Sequence, residues 1–131
     1  MIAAYQDPKL IKKILVVDDN KMNLAVAKEA LSNDYSVLCT TAADKMFSLL
    51  EKFIPDLILL DIEMPGMTGI ETLKQIRACD DPKIKDIKVV FLTSHGSDSN
   101  VIDAHRYQAQ GFILKPFDPA TLRKKITELI G

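Results

Sequence analysis

Short apolar runs and helix-patterned stretches alternate along this chain, and that alternation limits the fold more than any other feature. "KKILVVD" (Lys12–Asp18), "SVLCT" (Ser36–Thr40), "DLILL" (Asp56–Leu60), "IKVVFLT" (Ile87–Thr93) and "GFIL" (Gly111–Leu114) each read as a short strand rich in aliphatic or β-branched residues. Several of them lack polar alternation, as expected for parallel strands buried on both faces. Between and after them lie helical stripes. Leu24, Ala27 and Leu31 share one face behind the candidate N-cap Asn20, and Ala43, Met46, Phe47 and Leu50 form a second stripe. Ile70, Leu73 and Ile76 form a third, and Val101 and Ala104 mark a weaker helix over 97–109. "DPATLRKKITELI" supplies Asp118 as a cap, Pro119 at the first helical position, and Leu122, Ile126 and Leu129 facing inward.

Five strand–helix pairs with right-handed crossovers predict an α/β fold. The expected architecture is a doubly wound, flavodoxin-like parallel sheet in the order 2-1-3-4-5 with helices on both faces. A chain of 131 residues suits one domain, here expected over 1–131 with residues 1–9 as a loose lead-in broken by Pro8.

Charge excludes some functions. With 17 basic and 18 acidic residues the net charge is −1, which gives no case for general nucleic-acid or anionic-membrane binding. No apolar run approaches the roughly 20 residues needed to span a bilayer. The N-terminal stretch lacks a secretory pattern. Cys39 and Cys79 are far apart and are expected as free thiols in a reducing cytoplasm.

In sheets of this kind, ligands bind beyond the carboxyl ends of the strands, near the switch point between strands one and three. Strand one ends in Asp18 and Asp19, strand three in Asp61, strand four in Thr93 followed by Ser94, and strand five is followed by Lys115 and Pro116. Three carboxylates then converge on one rim. At about 5 Å and an effective dielectric of about 20, each like-charge pair costs about 3 kcal/mol. Such a cluster takes up protons or binds a cation, and an oxygen-only, water-accessible set suits Mg²⁺. A carboxylate, a metal, a hydroxyl and an ammonium together suggest phosphoryl transfer, with Asp61 as acceptor. The glycines of "MPGMTG" permit the tight turn that follows it.

"ILVVDDN", "DLILLDIEMPGMTG", "VVFLTS" and "GFILKPF" resemble the receiver domain of two-component response regulators, over about residues 12 to 131. The resemblance implies Asp61 as phosphoacceptor, Asp19 as a direct Mg²⁺ ligand, Asp18 acting mainly through a bound water, and the Glu63 backbone carbonyl as a further ligand. It also implies that Lys115 pairs with the phosphoryl group, that Thr93 is the switch hydroxyl, that Phe112 is the switch aromatic, and that the Lys115–Pro116 bond is cis. Many relatives have Tyr where Phe112 stands. Glu63 and His95 flank the expected phosphoryl site, at positions that tune phosphoryl lifetime in the family. His95 and His105 read as ordinary loop and helix residues, and Met22, Met46, Met64 and Met67 as core or loop filler.

The implied function is a phosphorylation-controlled switch rather than a turnover enzyme. Its phosphodonor would be a sensor histidine kinase or a histidine phosphotransfer protein. Its readout would be a downstream protein or output domain on the face of the fourth helix, fifth strand and fifth helix. A Mg²⁺-dependent phosphatase of haloacid-dehalogenase type also uses an aspartyl nucleophile, a hydroxyl and a lysine. There, however, the nucleophile follows the first strand and a second Asp lies two residues on, whereas position 63 is Glu. An FMN-binding flavodoxin is disfavoured by the acidic, glycine-free turn "DDNKMN". A pseudo-receiver is disfavoured because every required group is present.

Overall fold

The aliphatic runs are strands buried on both faces: Ile14–Val17, Leu57–Leu60 and Val89–Leu92 expose no surface, which is why their sequences do not alternate. The computed structural model describes residues 11–94 and 105–131. Its strands are β1 (Lys13–Val17), β2 (Ser36–Thr40), β3 (Leu57–Asp61), β4 (Lys88–Thr93) and β5 (Gly111–Leu114). All pair in parallel, in the order β2-β1-β3-β4-β5, as expected from the alternation.

Residues of one strand feed two cores in turn. Ile14, Val16, Leu57, Leu59, Val90 and Leu92 pack with α1 (Lys21–Leu31) and the last helix, through Leu24, Ala27, Leu31, Leu122 and Ile126. Leu15, Val17, Ile58, Leu60, Val89 and Phe91 pack on the other face with α2 (Ala43–Leu50) and α3 (Gly69–Arg77), through Met46, Leu50, Leu73 and Ile76. At about 25 cal/mol per Å² of apolar surface removed from water, these two layers supply most of the stabilisation.

Helix starts follow the expected caps. Asn20 accepts from the backbone N–H groups of Met22 (2.8 Å) and Asn23 (3.3 Å). Asp118 accepts from Ala120 (3.0 Å) and Thr121 (3.2 Å), with Pro119 opening the final helix. Three differences from the sequence reading stand out. A one-turn helix, α4 (Pro82–Lys85), capped by Asp81, precedes β4; the final helix, Pro119–Ile130, is labelled α5. Met22 is not filler but 75% exposed on the first turn of α1, because the buried stripe starts at Leu24. Leu129 is only partly buried, and Ile130 takes the inward position beside it. Of the helix expected over 97–109, only the end is described, with His105 and Arg106 helical. Residues 1–9 and His95, Val101 and Ala104 lie outside the described residues.

Among the described residues, no helix is long and apolar enough to cross a membrane. Cys39 and Cys79 are both free thiols.

Candidate functional site

Strand register brings the acids together. Val17 pairs with Leu60 across β1 and β3, so Asp18 and Asp61, each one residue further on, lie side by side at the carboxyl edge. Thr93 pairs with Leu114 across β4 and β5, and its carbonyl accepts from the Lys115 N–H at 2.8 Å. The residues expected from four strand ends therefore meet at one rim.

Asp18 and Asp61 are buried and Asp19 is exposed. One carboxylate oxygen of each lies within 4.8 Å of the others. Lys115 Nζ is 2.9 Å from Asp18 Oδ2 and 2.9 Å from Asp61 Oδ1, so one ammonium serves two acids. Asp18 also accepts from the Asn20 N–H (2.9 Å) and from Asn23 Nδ2 (3.2 Å). Asp61 Oδ1 accepts a second bond, from the Glu63 N–H at 3.1 Å. Among the described residues nothing donates a hydrogen bond to Asp61 Oδ2, which is buried, a cost of about 1–3 kcal/mol or more for a charged group.

These surroundings set the protonation. Burial pushes the Asp61 carboxyl up from 3.8 to about 7; the Lys115 hydrogen bond opposes this and the neighbouring Asp18 charge adds to it. Burial disfavours the Lys115 ammonium, yet its hydrogen bonds to Asp61 and Asp18 outweigh that and hold its pKa above the ordinary lysine value.

The donor set fits Mg²⁺: three carboxylates on one rim, hard oxygen donors only, and one buried oxygen to which no described residue donates, which a cation would satisfy.

The loop after Asp61 is built around close approach. Gly66 adopts φ +82°, and Gly69 packs so tightly that a Cβ there would lie 2.3 Å from the Asp61 carbonyl oxygen. Gly69 N–H donates to the Ile62 carbonyl at 2.9 Å, and Thr68 caps α3 by accepting from the Glu71 N–H at 3.2 Å. The turn folds back under the acid and fixes its strand end. The Lys115–Pro116 bond is cis, as the resemblance implied.

Thr93 is 1% exposed, and its hydroxyl donates to Glu63 Oε1 at 2.8 Å. Phe112, opposite Phe91 in the β4–β5 register, is 37% exposed and so faces outward rather than into the space beside Thr93. Two participants were missed at the sequence level. Asn23 holds Asp18 from one helical turn beyond the cap, and its only signal was the i, i+3 spacing from Asn20. The Glu63 side chain, expected merely to flank the site, reaches Thr93. His95 lies outside the described residues.

The family model for the response regulator receiver domain matches residues 14–127. The chemotaxis protein CheY-3 of Vibrio cholerae is 35% identical over 120 residues, spanning 89% of this chain and 90% of that protein. The regulatory protein LuxO of Vibrio vulnificus is 37% identical over 90 residues, which are 69% of this chain and 19% of LuxO. Among solved structures, the chemotaxis protein CheY4 of Vibrio cholerae has a TM-score of 0.83 at 28% identity, covering 92% of this chain and 99% of that one. A CheY-like receiver domain protein from Methanospirillum hungatei has a TM-score of 0.81 at 29% identity, covering 90% and 92%. With the family model covering most of its length and the five-stranded order shared with these structures, the chain belongs to the response regulator receiver domains, the signalling modules of two-component systems.

Proposed function

We propose that residues 1–131 form one receiver domain in which Asp61 accepts a phosphoryl group from a phosphohistidine on a sensor histidine kinase or histidine phosphotransfer protein. The observation that carries this reading is the buried Asp61 Oδ2, to which no described residue donates, beside a cation and two further acids. In the transfer, an Asp61 carboxylate oxygen forms the new P–O bond while the donor's P–N bond breaks; the electron pair stays on the imidazole nitrogen, which takes up a proton from solvent. Mg²⁺ held by Asp18, Asp19, Asp61 and the Glu63 carbonyl would neutralise charge on the transferring group.

The chain's own groups do the rest. Lys115 turns from the carboxylates toward a phosphoryl oxygen, and Thr93 donates its hydroxyl to another. Water later cleaves the acyl phosphate, so the domain catalyses only its own modification. Inward movement of Thr93 opens space for Phe112, which biases a two-state equilibrium at the partner-binding face. Exposed Phe112 and Leu114 line a groove of about 450 Å³ with Pro116, Phe117, Asp118 and Lys125, and support a readout surface on β5 and α5. The near-neutral charge supports a protein partner rather than nucleic acid or membrane, and the two free thiols suit a reducing cytoplasm.

Incubation with Mg²⁺ and acetyl phosphate tests this reading. It predicts the gain of one phosphoryl mass, prevented by EDTA, with no sustained hydrolysis of a phosphate monoester. Sustained hydrolysis would restore the haloacid-dehalogenase-type reading.

A further inference from the structure

Residue 63 is tied to the site at both ends. Its N–H donates to Asp61 Oδ1 at 3.1 Å, and its side-chain Oε1 accepts the Thr93 hydroxyl at 2.8 Å. Thr93 is buried, whereas Glu63 is exposed at the loop following the acceptor. The hydroxyl that must turn to a phosphoryl oxygen is therefore already engaged, by a carboxylate that carries the same sign of charge as the incoming group.

We propose that the Glu63 side chain is a latch on the switch: it holds the Thr93 hydroxyl in the resting conformation and is released when Asp61 is phosphorylated. The inference rests on Asp61 being the acceptor. A hydroxyl bonded to a carboxylate is in a charge-assisted hydrogen bond, roughly twice as strong as a neutral one. Thr93 has one hydroxyl proton and cannot give it at full strength to Glu63 and a phosphoryl oxygen at once. A phosphoryl group on Asp61 adds negative charge beside Glu63, whose exposed side chain can swing to water at little cost. Phosphorylation thus supplies Thr93 with a stronger acceptor and repels the old one. Two mutually exclusive bonds to one proton make the element bistable, and the strength of the Glu63 bond sets how far the unphosphorylated protein stays in its resting state. Glu63 is here a positioning residue that acts through Thr93. Its backbone carbonyl, the expected metal ligand, is retained in any side-chain variant.

The test uses beryllofluoride with Mg²⁺ as the phosphoryl mimic, on the full chain. Its Kd is measured in wild type, Glu63→Ala, Thr93→Ala and the double variant, alongside ¹H–¹⁵N shifts of Phe112 and Leu114. Removing the Glu63 charge tightens anion binding in any background. The latch adds a further gain only where Thr93 is present, so other contacts of Thr93 cancel in the comparison. We expect Glu63→Ala to tighten binding about tenfold more with Thr93 than without it. We also expect the ligand-free Glu63→Ala shifts to move toward the wild-type beryllofluoride positions. Equal tightening in both backgrounds, with ligand-free shifts unmoved, overturns the latch alone. A wild type that binds no beryllofluoride overturns the acceptor reading, and the latch with it.

Discussion

Replacing the proposed acceptor should make the metal-free protein more stable. In the fold, burial and the Asp18 charge raise the Asp61 pKa from 3.8 to about 7. Below 3.8 both the native and unfolded chains carry the proton, and the group has no net effect. As pH rises from 3.8 to about 7, the unfolded chain releases its proton while the native chain keeps it, so stability falls. Above about 7 the penalty is complete. At about 1.4 kcal/mol per pH unit the ceiling is about 4 kcal/mol; water around exposed Asp19 screens part of it, leaving roughly 2–3 kcal/mol. The Coulomb cost of one like-charge pair, about 3 kcal/mol at an effective dielectric of about 20, agrees. In Asp61→Asn the amide oxygen keeps Lys115 and the Glu63 N–H, while the amide nitrogen offers hydrogens to the remaining acids. At pH 8 in EDTA the variant should gain 2–3 kcal/mol, roughly 8–12 °C in Tm for a domain of this size. The gain should shrink as pH falls from about 7 toward 4. Saturating Mg²⁺ should raise the wild-type Tm and narrow the gap, because only the native site binds the ion well. A variant no more stable than wild type at pH 8, or a gain that grows toward acid pH, would refute the reasoning.

Gly69→Ala places a Cβ 2.3 Å from the Asp61 carbonyl oxygen and 2.8 Å from Ile62 Cα, both backbone atoms; urea unfolding should show a loss of about 2–3 kcal/mol, together with weakened Mg²⁺ binding. Asp118 has its carboxyl held below the ordinary range by the Thr121 hydroxyl and the Ala120 and Thr121 N–H groups. Its contribution is therefore present above pH 3.8 and lost as pH falls through its lower native value, so Asp118→Ala should unfold at lower urea at pH 7, with the difference closing in acid. Asp19→Asn should weaken Mg²⁺ more than Glu63→Ala, whose proposed ligand is a backbone oxygen; the reverse order in a Mg²⁺ titration would reject the ligand assignment.

The sheet was legible because parallel strands covered on both faces must be continuously apolar, and Ile14–Val17 and Leu57–Leu60 are. The acids were legible because strand ends in a doubly wound sheet share one edge, so positions 18, 61, 93 and 115 needed only the strand order to meet. What escaped the sequence depends on side-chain reach or on segments too short for a period. Helix α4 has four residues and only the Asp81–Pro82 start signal. The Glu63–Thr93 and Asn23–Asp18 bonds depend on rotamers that spacing does not specify. Arg77 is a further case: its guanidinium donates to the carbonyls of Tyr107, Lys85, Ile87 and Gln108. It thereby fastens the end of α3 to the entrances of β4 and β5. In sequence it is one more basic residue in the last turn of a helix.

The central claim is that Asp61 alone becomes the acyl phosphate. Asp18 has both oxygens engaged, by Asn20, Asn23 and Lys115, whereas among the described residues nothing donates to Asp61 Oδ2. The most direct measurement is the location of the phosphoryl group after treatment with Mg²⁺ and acetyl phosphate, by intact mass and hydroxylamine lability. The account predicts one hydroxylamine-labile phosphoryl group in wild type, in Thr93→Ala and in Ser94→Ala, and none in Asp61→Asn. Labelling of Asp61→Asn at the wild-type level, or an adduct on Thr93, Ser94 or His95, would contradict it.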